Sequence, residues 1–316
     1  MECPPTSRLD HDLEVTPGVT VHVIEKWADG GGNPAGAVPA AGGGPPSGHG
    51  ATVLLVHGLG VGGGYWDLPA PGYSTMDHLA ARGLHVYALD HRGYGPSSPV
   101  AGSSVRAENA AGDVAAVIDF IRSRSDGRAV CLVGHSWGAI VAAMAAAARP
   151  ASVASLVLIG MPYRRLHPQF RERIGVMRAA GASADGWLPN LTHLGLEDRL
   201  FAHDPAVLAA YQRMVEAHYP RIPVGILDDC LELPHIDSVA HLACPVLVVC
   251  GTLETVVDRG DMLDLIDDLP AAEKELVLVG NVGHLAALEK GSHMRLDHQM
   301  AEWALAHRCD DATPRD

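Results

Sequence analysis

Positive charge is in short supply. The 316-residue chain carries 23 Lys and Arg against 37 Asp and Glu, a formal net charge of −14. That balance argues against non-specific nucleic-acid binding and against attachment to anionic membrane surfaces, since both draw on excess cationic charge. Long apolar runs are also missing: the longest, in the alanine-rich stretch after residue 138, falls short of the roughly 20 residues that cross a bilayer. Cysteine is sparse, with six residues and no C-x-x-C spacing. Cys244 and Cys250 fall on one predicted strand, about 20 Å apart at ~3.3 Å per residue, too far to be bridged. A reduced, cytoplasmic protein is expected. Met1-Glu2-Cys3-Pro4-Pro5 has neither a basic segment nor an apolar core, so no secretory signal is expected. Histidine is plentiful, at 18 residues, but no H-E-x-x-H or comparable spacing occurs, and neither metal nor cofactor is expected.

What is present suffices for a sizeable core: 47% of residues are hydrophobic and 19% charged. Val19 to Ile24 alternates as half of a hairpin would. Residues 28–50 collapse into Gly, Pro and Ala, too poor in large apolar groups to pack, and read as a flexible insertion. Strands are predicted at 51–56, 84–89, 130–133, 156–160, 245–251 and 275–279, and helices at 76–82, 105–122, 139–149 and 259–269, with a last helix running towards Ala306. Alternating strands and helices predict a parallel sheet covered on both faces. Strand signals vanish from Met161 to about Leu242. That segment, 161–242, is predicted to be a cap of short helices inserted into a core made of 1–160 and 243–316. No internal repeat is found.

The stretch with the most chemical content is Ala129 to Pro150. A buried strand, Val130-Cys131-Leu132-Val133, runs into Gly134-His135-Ser136-Trp137-Gly138 and then into a helix that Pro150 ends. Strand, G-x-S-x-G, helix is the nucleophile elbow. A serine on so sharp a turn is held at positive φ. Side chains at 134 and 138 would strike the neighbouring strand and helix. Acyl transfer also requires a base and a carboxylate to orient it. Gly283-His284 follows the last predicted strand, and Gly251-Thr252-Leu253-Glu254 follows the strand before it. Asp258 competes with Glu254 as the acid, although it could equally cap the helix that starts there. Asp228, Asp229 and Asp237 are placed at the far end of the middle segment.

These motifs, with His57-Gly58-Leu59-Gly60 and the Asp90–Ser98 loop, resemble the α/β-hydrolase family in its order of nucleophile, acid and histidine. The resemblance implies an α/β-hydrolase fold: a mostly parallel twisted sheet, helices on both faces and an inserted helical cap. It implies a Ser136–His284–Glu254 triad. It places the oxyanion hole at the N–H groups of Trp137 and Leu59. His57, Gly58, Gly60 and His135 would shape the pocket or its loops, Trp137 and cap residues would shape the pocket, and the Asp90–Ser98 loop would brace the site. The glycines at 60 and 62–64 would keep side chains away from the substrate.

Departures from family patterns narrow the chemistry. Epoxide hydrolases and dehalogenases attack with aspartate where this chain has Ser136, and epoxide hydrolases carry proline where it has Leu59. Prolyl aminopeptidases share Ser-Trp-Gly but differ before it and in the His-Gly loop. Perhydrolase-type members have methionine where Trp137 stands. The expectation is a serine hydrolase for a small-molecule carboxylic ester or thioester. The alternatives are an acyltransferase or cyclising thioesterase served by an acyl carrier protein, and a lyase, C–C hydrolase, cyclase or ligand-binding receptor on the same fold. Arg164, Arg165, Arg171, Arg173 and Arg178 cluster in this acidic chain, either as a solvated helix face or as an electropositive entrance. Oligomeric state is not legible.

Overall fold

The computed structural model describes residues 4–29 and 50–308. All but the ends of the expected 28–50 insertion lies outside the described residues. Strands β1 (Thr6–Thr16) and β2 (Val19–Ala28) form an antiparallel hairpin. Next come β3 (Thr52–Val56), α1 (Thr75–Ala80), β4 (His85–Asp90), α2 (Ala107–Ser123), β5 (Val130–His135), α3 (Trp137–Ala148) and β6 (Val153–Ile159). The middle segment follows as α4 (Pro168–Ala179), β7 (Trp187–Pro189), α5 (Pro205–His218), β8 (Arg221–Pro223), α6 (Val224–Glu232) and α7 (Ile236–Val239). The chain closes with β9 (Val246–Gly251), α8 (Arg259–Asp268), β10 (Lys274–Val279) and α9 (His293–Ala306).

Eight strands form one sheet in the order β1-β2-β4-β3-β5-β6-β9-β10. β2 meets β4 antiparallel, and every pairing from β4 to β10 is parallel. This is the α/β-hydrolase fold. The central strands β3, β5, β6 and β9 are buried throughout. Burial on both faces explains their unbroken Val and Leu runs, each such side chain contributing about 1.5–3 kcal/mol. Helix α2 turns Ala110, Val114, Val117, Ile118 and Ile121 inward, a helical spacing that buries one stripe. Helix α3 is buried nearly all round, packed on the sheet and against α2, α6 and α7. Its alanines let the backbone lie close to its neighbours.

The middle segment departs from the all-helix expectation. β7 and β8 pair as a small antiparallel ribbon, Trp187 opposite Pro223 and Pro189 opposite Arg221. At three residues each, with a proline at an end, neither strand is long enough to show alternation. Among the described residues no helix is long and apolar enough to cross a membrane. Cys131, Cys230 and Cys250 are buried free thiols.

Because β3, β5, β6, β9 and β10 run parallel, the loops at their C-terminal ends gather along one edge of the sheet. Ligands of open α/β sheets bind at such an edge.

Candidate active site

Ser136 stands between β5 and α3 at φ 58° and ψ −125°, a strained backbone for a residue with a side chain. Two glycines make the turn possible. A Cβ on Gly138 would sit 2.4 Å from the carbonyl oxygen of His57 and 2.5 Å from that of Val56. One on Gly134 would lie 2.5 Å from Ala139 Cα and from Gly138 O. The loop after β3 packs directly on the elbow, since a Cβ on Gly58 would come within 2.9 Å of Ser136 Cβ. Leu59 follows on that loop and lines the same cavity as Ser136. Leu59 and Trp137, the residue that opens α3, therefore lie on either side of the serine.

His284 reaches this cavity from the loop after β10. Its Nδ1 lies 2.9 Å from Glu254 Oε2. The other oxygen, Glu254 Oε1, accepts the N–H groups of Thr255 and Val256, each at 2.8 Å. Burial raises the Glu254 pKa, but the neighbouring His284 and these hydrogen bonds outweigh it and hold the carboxyl below its usual value. Gly160, at the end of β6, leaves room for the pair: a Cβ there would meet the His284 ring at 3.1 Å and Glu254 Oε2 at 3.2 Å. Asp258 is elsewhere, capping α8 by accepting the Gly260 N–H at 2.8 Å. A side-by-side comparison follows. Glu254→Gln is expected to lose about 10⁴-fold in kcat with its fold intact, because an amide cannot hold the imidazole tautomer or stabilise its charge. Asp258→Asn is expected to change kcat less than about threefold and to cost about 1 kcal/mol of stability as a weakened cap. The reverse ranking at saturating substrate would move the acid to Asp258.

The two neighbouring histidines are committed elsewhere. His57 Nδ1 donates to Gly58 O at 2.9 Å, and its Nε2 accepts the His91 N–H at 3.0 Å. His135 Nε2 donates to His284 O at 2.9 Å, and its ring stacks on Tyr65 at 5.1 Å. Neither lines the cavity. They brace the loops that carry Leu59 and His284. The Asp90–Ser98 loop braces from beneath: Asp90 Oδ1 accepts the Gly63 N–H at 2.9 Å and Ser97 Oγ donates to Asp90 O at 2.7 Å.

Two readings need correction. The Trp137 side chain turns away from the cavity, fully buried, and its indole N–H donates to Asp229 Oδ2 at 2.9 Å. As the first residue of α3 it projects behind the elbow, where α6 brings Asp229 up; Asp229 is thus packed against the elbow helix and not remote from it. The glycines at 60, 62 and 64 make room for protein and not for substrate. A Cβ on each would strike Thr192, Asp90 and Tyr219, or Met214, respectively.

The cavity holding Ser136 and His284 is small, about 60 Å³, with further lining from Phe170, Leu196, Leu200 and Tyr211 of the middle segment. A larger cleft of about 1120 Å³, bounded by His22, Lys26, Asp67 and Met214, contains neither Ser136 nor His284. Volume points to the larger cleft, but Ser136 and His284 line the smaller one, and Glu254 contacts His284. Among the described residues no group of three or more His, Cys, Asp or Glu could hold a metal ion.

The family model described as serine aminopeptidase, S33, matches residues 48–291, which contain this whole constellation. The chain belongs to the serine aminopeptidase S33 family. It is a serine hydrolase of the α/β-hydrolase superfamily. A monoacylglycerol lipase of Mycolicibacterium smegmatis is 24% identical over 261 residues, covering 81% of this chain and 88% of that protein. The polyketide synthase ThaQ of Burkholderia thailandensis is 30% identical over 256 residues, 77% of this chain but only 11% of the synthase. Among solved structures, a soluble variant of monoglyceride lipase from Saccharomyces cerevisiae superposes with TM-score 0.71 at 19% identity, over 98% of this chain and 97% of that one. At that identity it speaks for the fold.

This S33 family member has further site residues that its sequence did not reveal. Buried Glu289 accepts the N–H groups of Gly283 at 3.1 Å, Phe201 at 3.1 Å and Ala202 at 2.9 Å, tying the histidine loop to the middle segment. Asn190 Nδ2 donates to Gly60 O at 2.8 Å from the other side. Lone polar residues in loops carry no periodic signal. The only local hint was an acid five residues after His284.

The buried histidines also give the fold a pH dependence. Burial lowers the pKa of His57 to about 4, His135 to about 3 and His235 to about 4, and takes His91 well below its usual value. In the unfolded chain these groups protonate near pH ~6.5. Stability from keeping them neutral is present above pH ~6.5 and is lost as pH falls towards their folded values. Asp90 opposes this below its own value of about 6, raised by burial, and Asp113, Asp229 and Asp261 are raised in the same direction. Between pH 7.5 and 6 the histidines act nearly alone. Thermal unfolding is expected to show a loss on the order of 2–3 kcal/mol across that window. A flat or rising Tm from 7.5 to 6 would show that these side chains titrate alike in both states.

Proposed function

We propose that the protein hydrolyses carboxylic esters through an acyl-enzyme. The observation that carries this reading is the 2.9 Å His284–Glu254 contact in a cavity whose wall also holds Ser136 on its strained turn. Ser136 Oγ adds to the ester carbonyl and its proton passes to His284 Nε2. The resulting oxyanion takes the N–H groups of Leu59 and Trp137. His284 then protonates the departing alcohol, and water repeats the sequence to free Ser136. Glu254, ionised at neutral pH, fixes the imidazole and stabilises its charged form. The relative named as a monoacylglycerol lipase supports the substrate class.

Residues 161–242 act as a cap, supplying Phe170, Leu196, Leu200 and Tyr211 to the cavity roof. At about 60 Å³ the cavity is far below the ~300–1,000 Å³ of drug-sized pockets. Short acyl groups fit it best, and longer ones require the cap to move. The described free cysteines support work in a reducing, cytoplasmic setting.

A second reading is favoured by the 256-residue match inside a polyketide synthase: the acyl group arrives as a thioester, including one on an acyl carrier protein, and leaves to an acceptor other than water. Two assays test the pair. A fluorophosphonate should label the wild type stoichiometrically, and short p-nitrophenyl esters should turn over. Absence of both would overturn the hydrolase reading. Faster loss of the acyl group to an added alcohol or amine than to water would favour the second.

A further inference from the structure

The five arginines clustered in the sequence part company in the structure. Arg164 pairs with Asp268 at 2.7 Å and Arg165 with Asp264 at 2.5 Å, while Arg178 pairs with Asp228. Arg171 is exposed to solvent. Only Arg173 turns into the cavity, and there it meets a second guanidinium, Arg199, from the loop before α5. Among the described residues neither has a carboxylate at ion-pair distance. Tyr211 and Glu197 favour the charged form of Arg199 less than burial and Arg173 oppose it. Arg199 is anchored, its Nη2 donating to Thr192 O at 2.5 Å and Leu194 O at 3.0 Å and its Nε to Gly195 O at 3.2 Å. Those are neutral carbonyls, so among the described residues no carboxylate is paired with its charge. The Arg173 side chain makes no hydrogen bond among the described residues.

Two half-buried like charges on the wall of one cavity are unfavourable unless something anionic joins them. Burial and mutual repulsion lower the pKa of Arg199 to about 10, and burial lowers that of Arg173. In a chain with 14 more negative than positive charges, carboxylates to neutralise them were not scarce; Arg164, Arg165 and Arg178 each have one. The uncompensated pair shares its cavity with Ser136 and His284, so the missing partner belongs to whatever the serine attacks.

We infer that Arg173 and Arg199 form an oxyanion subsite, and that the preferred substrate is an ester carrying a carboxylate or phosphate group. The inference rests on Ser136 chemistry at this cavity. Guanidinium pairs hold such groups by bidentate, charge-assisted hydrogen bonds.

The test compares kcat/KM within two matched pairs. Mono-p-nitrophenyl glutarate against p-nitrophenyl valerate places the anion on the acyl side. A 1-acylglycerol 3-phosphate against the corresponding 1-monoacylglycerol places it on the alcohol side and replaces carboxylate by phosphate. In at least one pair the anionic ester should be preferred by tenfold or more. Arg173→Gln should cut that preference by about 10- to 100-fold, mainly through KM, and Arg173→Lys should restore part of it. Arg173 is the position to vary because Arg199 also holds the 192–195 loop. Fluorophosphonate labelling is run on the same samples. Labelling without any anion preference, or a preference that Arg173→Gln leaves intact, overturns the subsite. Absent labelling overturns the hydrolase reading instead.

Discussion

Ser136→Ala is expected to fold as the wild type does and to lose about 10⁵-fold or more in kcat, with fluorophosphonate labelling abolished. The folding half of this expectation comes from the backbone. The positive-φ turn is imposed by strand β5, helix α3 and the lack of Cβ atoms at 134 and 138, and alanine accepts the same conformation as serine. The hydroxyl gives α3 no capping hydrogen bond, so its removal leaves no buried donor or acceptor stranded. The circular dichroism spectrum should be unchanged, and the unfolding free energy should stay within about 1 kcal/mol of wild type. The kinetic half follows from chemistry: without Oγ there is no acyl-enzyme, and what remains is binding plus whatever the Leu59 and Trp137 N–H groups do for attack by water, about 10³-fold over solution. Labelling that persists in Ser136→Ala would place the nucleophile elsewhere.

The main sheet was legible because β3, β5, β6 and β9 are covered on both faces and therefore read as uninterrupted apolar runs. Strand β1 was not, and the reason is physical. It sits at the sheet edge with every residue exposed or half-exposed. Thr-Ser-Arg-Leu-Asp-His-Asp-Leu-Glu-Val-Thr therefore looks like a loop, although it is held by a ladder to β2 from Thr6 to Thr16. The pairing of Glu254 with His284 was legible from the order of their motifs and from the glycines beside them. Two backbone N–H groups hold the Glu254 carboxylate beside the imidazole. The direction of the Trp137 indole was not legible. It depends on Asp229, 92 positions away. Arg199 escaped for the same reason: nothing local marks an arginine that shares a cavity with Arg173 and, among the described residues, forms no ion pair.

His284→Ala is expected to be as inactive as Ser136→Ala while remaining folded, and the environment of the residue supplies both parts. Its loop is held by groups other than its own ring: Gly283 N–H on Glu289 and the carbonyl of His284 itself on His135 Nε2. Removing the imidazole opens a small gap beside Gly160 and leaves Glu254 still hydrogen-bonded to Thr255 and Val256. The carboxylate therefore keeps two of its three partners, and the loss of stability should stay near 1–2 kcal/mol. No other base can step in. Both ring nitrogens of His57 are engaged with backbone, and His135 is buried, neutral and spends its Nε2 on the very loop in question. Ser136 would then have to lose its proton to water, so labelling and turnover both fall by about 10⁵-fold. The pH profile gives the signature a collapsed loop would not. Wild-type kcat/KM should fall on the acid side as the base is protonated. The residual rate of His284→Ala should lack that limb and rise with hydroxide instead. Retention of the acid limb in His284→Ala, or near-normal turnover there with His135→Ala inactive at unchanged Tm, would assign the base to His135.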